Sequence, residues 1–289
     1  MQWGQIKTLF ILCFLILDVF LVYQFINKTE QAQLVLLPDT SIEEQLEAED
    51  IQLQNLPNDT PKKTRIYADR YDFEEEDQEK LAERENQKSS IRENGKILTS
   101  VFNEPIEIDL ESDKSKISSI VKEEIIFGDE YEYWGYNEKW NVLIFFQLHE
   151  DNPIYFNESG VVLVSLNEEK TGLIGYLQTR LVDVKSTGKE QDLIKPIQAI
   201  STLFDKNQIY SRDTVTEFDI GYYTLVPLQE GGNGVQFFSP TWNIHVNEER
   251  NYFVNGLDGQ YIAKEEDEFL ERMNKKKTEL EQPVRGGES

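Results

Sequence analysis

Residues Ile6 to Ile26 read IKTLFILCFLILDVFLVYQFI, a run in which only Lys7, Asp18 and Gln24 are strongly polar. As a helix, a run of this length spans about 31 Å, close to the hydrocarbon thickness of a bilayer. Trp3 and Tyr23 stand near its two ends, where amphipathic rings favour the membrane interface. A cleaved signal peptide would need small residues at −3 and −1 of a cleavage site. None occurs between Cys13 and Asn27, and Ala32 has Glu30 two positions before it. The run therefore predicts an uncleaved transmembrane helix over 6–26, after a short cytoplasmic N-terminus over 1–5.

Charge sets the orientation and narrows the function classes. The chain of 289 residues carries 29 Lys and Arg against 54 Asp and Glu, a net charge of −25. Lys7 and Asp18 cancel within the run, so the acidity lies beyond it. Lys7 and the amino terminus on the short flank place the N-terminus inside and the rest outside the membrane. Such acidity argues against nucleic-acid binding, which needs a cationic face. Cys13 is the single cysteine, so an intramolecular disulfide and multi-cysteine metal sites are excluded.

Within the run, Asp18 is costly at the bilayer centre unless it meets a polar partner. Phe14 and Leu21 lie at helical spacing on either side of it, with Cys13 and Val22 on the adjacent stripe. Phe14, Asp18 and Leu21 are therefore the candidate contact with a partner helix.

Beyond a linker over 27–40, the patterning is α+β. Helices are predicted from Ser41 to Ala48, opened by the capping box Ser41-Ile-Glu-Glu44, and over Glu74–Glu85, Asp113–Ile126 and Gln191–Phe204. Strands are predicted over Thr64–Tyr71, Lys88–Arg92, Lys96–Phe102, Val142–Leu148, Val161–Leu166, Leu173–Val184, Thr214–Val226, Gln236–Val246 and Asn251–Ile262. Asn94-Gly95 reads as a hairpin turn. The reading is a small exported α+β domain over 41–105, a larger one over 106–262 with mostly antiparallel sheet, and a charged, disordered tail over 263–289 that opens on a frayed helix.

Short motifs offer chemistry that their spacing removes. Ser119-Ile-Val-Lys122, Ser165-Leu-Asn167 and Lys170-Thr-Gly172 match the three motifs of penicillin-binding proteins in order. Only Glu168 and Glu169 separate the last two, which in that fold come from distant parts of the chain. Turn chemistry over Asn167 to Gly172 accounts for those residues. His149 and His245 are two lone histidines, the second alternating with Ile244 and Val246 on a strand, and read as structural or solvated. No acidic run matches a calcium-binding loop, and Gly231-Gly-Asn-Gly234 lacks the helix a phosphate cradle needs. Tyr131, Tyr133, Trp134, Tyr136 and Trp140 suit a core; their alternative use is a platform for wall polymer or peptide. No catalytic residue, cofactor or metal is expected.

Several stretches, taken in order, resemble the YycI family. They are Trp3 with Ile6-Lys-Thr-Leu-Phe10, Pro153-Ile-Tyr-Phe-Asn157, Gly175-Tyr-Leu-Gln178 and Leu193-Ile-Lys-Pro-Ile-Gln-Ala-Ile200, followed by Gly221-Tyr-Tyr223, Pro240-Thr-Trp242 and Tyr252-Phe-Val-Asn-Gly256. The resemblance covers roughly Trp3 to Ile262. It implies a non-catalytic, membrane-anchored accessory protein of the WalK/WalR two-component system of Gram-positive bacteria. Such a protein acts with a YycH-like partner to modulate the sensor kinase WalK and cell-wall homeostasis, through an α+β extracytoplasmic region similar to YycH domains. An exported binding module is the alternative, and an enzyme using the serine motifs is a third reading.

Overall fold

The computed structural model describes residues 3–34, 39–225, 234–247, 249–264 and 266–281. Helix α1 (Trp3–Leu34) is followed by α2 (Asp39–Ala48), β1 (Gln52–Leu53), β2 (Lys62–Arg70), α3 (Glu75–Ala82), β3 (Gln87–Arg92) and β4 (Ile97–Glu107). Then come α4 (Lys114–Glu124), a 3-10 turn (Gly128–Glu130), β5 (Tyr131–Asn137), β6 (Val142–His149), β7 (Asn152–Tyr155), β8 (Val161–Leu166) and β9 (Gly172–Gln178). The chain continues through β10 (Leu181–Asp192), α5 (Pro196–Asp205), β11 (Thr214–Thr224), β12 (Gln236–Val246), β13 (Arg250–Asn255), β14 (Tyr261–Ile262) and α6 (Glu266–Glu281). Gly231-Gly-Asn233 lies outside the described residues.

The fold is α+β. The strands join in one path, β10-β2-β12-β11-β7-β6-β8-β9-β4-β3, with β1, β5, β13 and β14 added at its sides. Only the β1–β11 and β7–β11 pairings are parallel among those described. Strands from both sides of residue 105 enter both halves of this path. Pro105 itself lies inside β4, which pairs with β9, while β2 pairs with β10 and β12.

The halves are covered differently. Over β11, β12 and β13, helices α2 and α5 bury Leu46, Ile200 and Leu203 against Trp242, Ile244 and Val254. Pro196 occupies the first turn of α5, where its missing N–H costs no helical bond. In the other half, alternate residues of β6 serve two cores. Leu143 and Phe145 pack with Ile117 and Val121 of α4, whereas Ile144 and Phe146 pack with Phe269, Leu270 and Met273 of α6. A strand buried on both faces reads as a continuous apolar run, which is the character of Val142–Leu148.

Two expected segments are corrected. The linker over 27–40 is largely helical: α1 runs to Leu34 and α2 begins at Asp39. The helix expected to fray at the head of the tail is, over Glu266–Glu281, docked on the sheet. Phe269, Leu270 and Met273 share one stripe by the spacing of one and four residues, and all three are buried. Glu158 holds the same helix from outside, accepting from Arg272 Nε at 2.7 Å and from Lys276 Nζ at 2.7 Å.

Candidate functional site

Helix α1 carries the residues expected to meet a partner. Phe14, Asp18 and Leu21 fall four and three residues apart, so they share one stripe, and all three are exposed. The exposed apolar side chains from Phe10 to Tyr23 surround the helix rather than forming one face, and Phe14 stacks on Phe10 with centroids 6.5 Å apart. Cys13 is an exposed free thiol. The side chains described on α1 are Lys7 and Phe10 to Gln24. Among the described residues no helix is long and apolar enough to cross a membrane.

The aromatic cluster packs on the core, with Tyr131 buried and Tyr133, Trp134, Tyr136 and Trp140 half-buried. Tyr131 is fully buried and donates to the Thr179 carbonyl at 2.6 Å. Trp134 packs within 6.0 Å of the rings of Phe146, Tyr155, Phe156 and Phe253. Tyr133 lies on Phe145, and Trp140 borders a cavity of about 210 Å³ between the sheet and α6, with Leu163, Leu177, Met273 and Lys277. Tyr131, Tyr133 and Tyr136 pack on the α4 face of the sheet and Trp134 and Trp140 on the α6 face, so the rings do not present one row of free faces.

The serine motifs are dispersed. Ser119, exposed on the outer face of α4, donates to the Lys116 carbonyl at 2.9 Å. Ser165 lies on β8 and accepts from Lys277 Nζ of α6 at 2.9 Å. Since α4 and α6 cover opposite faces of this half of the sheet, the two serines are separated by it. Asn167 Oδ1 accepts from the backbone N–H groups of Thr171 and Gly172, and Lys170 pairs with Glu138 at 2.8 Å. The Asn167–Gly172 segment is thus a hydrogen-bonded turn.

His149, at the end of β6, is half-buried beside Tyr222; burial lowers its pKa, with Glu150 opposing and Lys63 assisting. His245 alternates with fully buried Ile244 and Val246, so it stands on the other face of β12. There the β11–β12 register sets Glu217 opposite His245 and Asp219 opposite Asn243. Potential ligand atoms of Glu217, Asp219 and His245 lie within 4.8 Å of one another, the convergent group of this kind among the described residues. The Glu-x-Asp and Asn-x-His alternations are visible in the sequence, but only strand register makes them neighbours.

The architecture defines a class: an α+β fold built on one large, mostly antiparallel sheet, preceded by helix α1. The chain belongs to the YycI family, whose family model, described as YycI protein, matches residues 30–257. Members of that family are non-catalytic regulators, and membership implies a membrane-anchored, WalK-associated regulatory protein. No curated protein sequence matches the chain. Among solved structures it is similar to an uncharacterized protein from Eubacterium rectale, at 10% identity and TM-score 0.44, over 75% of this chain and 91% of that one. It is also similar to YycH from Bacillus subtilis, at 11% identity and TM-score 0.38, over 69% of this chain and 53% of that one. Likeness at these scores carries no argument about function.

Proposed function

We propose that the chain is a membrane-anchored regulator that modulates the WalK sensor histidine kinase, in the direction of restraint, together with a YycH-like partner. Its output would be cell-wall homeostasis. The family match over residues 30–257 carries this reading. No cofactor is required, since the role is contact rather than chemistry.

In this reading α1 is the single transmembrane helix, with its N-terminus in the cytoplasm and residues 39–281 outside. The support is the apolar run from Ile6 to Ile26 and the helix of 32 residues that contains it, about 48 Å long. Phe14, Asp18 and Leu21 then form the contact within the membrane, because an Asp in hydrocarbon is stabilised by a donor on a neighbouring helix.

The test is co-purification from detergent-solubilised membranes, joined to a reporter of kinase output. A tagged chain should bring down WalK and a YycH-like protein, and deletion of the chain should raise the output. Failure to retain the kinase, with output unchanged on deletion, would remove the reading.

A further inference from the structure

The group around His245 contains a hydrogen-bond conflict. Asp219 Oδ2 lies 2.7 Å from His245 Nε2, and Asn243 Nδ2 lies 2.9 Å from the same nitrogen. One ring nitrogen cannot serve both. Protonated, it donates to Asp219 and meets the amide N–H head-on. Unprotonated, it accepts from Asn243 and turns a lone pair towards a carboxylate. Asn243 is 1% exposed, and its Oδ1 has no hydrogen-bond partner. Asn251 faces His245 across the β12–β13 register, and its buried Oδ1 is also unpartnered. A buried amide oxygen left without a partner is destabilising. Here two of them adjoin a pair of like-charged carboxylates on one strand face.

A cation answers each of these features. It takes the imidazole lone pair, neutralises Glu217 and Asp219, and offers an amide oxygen a positive partner. We propose that Glu217, Asp219 and His245 form a binding site for a divalent cation of the zinc type. One imidazole nitrogen and two carboxylate oxygens are ligands that zinc accepts, leaving a fourth position for water, or for Asn243 Oδ1 once the amide, whose Nδ2 now faces the ring, turns over. The three ligands come from two adjacent strands, so the bound ion joins β11 to β12 by side chains as well as by backbone.

The experiment uses the full chain in detergent, stripped of metal by a chelator and titrated with Zn²⁺ over excess Mg²⁺. The magnesium occupies the diffuse acidic surface, so that only a specific site competes for zinc. Uptake is measured by equilibrium dialysis. The chain has two histidines, so His149→Gln leaves a single imidazole whose NMR resonances report on His245. The expected result is one saturable Zn²⁺ per chain and a displaced His245 ring signal. Both should survive in His149→Gln, and saturable uptake should be lost in His245→Gln and in the exposed pair Glu217→Gln/Asp219→Asn. The proposal is overturned if the native chain shows no saturable uptake, or if uptake persists in the carboxylate double variant. Should His245→Gln fail to fold, the double variant and the ring signal decide the question unaided.

Discussion

Phe269 of α6 meets Phe156 edge to face, with ring centroids 5.7 Å apart. Phe156 in turn stands against Phe146, Trp134 and Phe253, so this contact joins a highly charged terminal helix to the aromatic core. Phe269→Ala should therefore destabilise the fold by about 3–5 kcal/mol, the cost of truncating a fully buried aromatic side chain. Chemical denaturation of the purified chain checks this; a loss below about 1 kcal/mol would mean that α6 is only loosely held.

Glu158 gives the same helix a dependence on pH. Burial alone would raise its carboxyl, but Lys276 and Arg272 outweigh that and hold it below the usual carboxylate range. A lowered folded pKa contributes stability that is present above the unfolded value, about 4.3, and is lost as pH falls through the folded one. The thermal midpoint of the native chain should fall across that acid range more steeply than that of Glu158→Gln. Equal pH profiles for the two proteins would contradict the assignment.

Gly221 of β11 lies tight against β7. A Cβ there would stand 2.4 Å from the Pro153 carbonyl oxygen and 2.4 Å from the Tyr155 ring. Backbone cannot yield as a flexible side chain does, so Gly221→Ala should cost about 1–3 kcal/mol through overpacking. Gly135→Ala, where nothing lies within 4 Å of the added atom, is the control and should change the denaturation midpoint far less.

Asp18 tests whether α1 is a tether or a contact. Asp18→Leu should insert into membranes more readily, yet weaken coupling to the kinase, because a polar pair between transmembrane helices is worth roughly 0.6–2 kcal/mol. Reporter output is measured at matched membrane abundance. Unchanged output, both in this variant and after exchange of the whole helix for an unrelated anchor, would place the regulatory contact in the residues beyond α1.

The helices and most strands were legible because their apolar residues recur with a clear period. Ile117, Ile120 and Val121 announced α4, and Asn94-Gly95 announced the turn between β3 and β4. Strand β7 was missed because Pro153 reads as a turn residue, although it sits one position inside the strand. Leu173–Val184 read as one strand and is two, β9 and β10, broken at Thr179 and Arg180. The charge of the last segment masked the short stripe of Phe269, Leu270 and Met273. The cluster at His245 depends on long-range register, which no local pattern encodes.

The pairing of β2 with β12 sets Ala68 beside Gln236, with most of the chain's other strands lying between them in sequence. The half that holds β10, β2, β11 and β7 cannot be completed until β12 has emerged. Closing so long a loop delays native contacts and slows folding. In a chain exported as it is made, β2 and β10 would thus wait with open strand edges, exposed to chaperones or to self-association, until β12 arrives near the end of the passage.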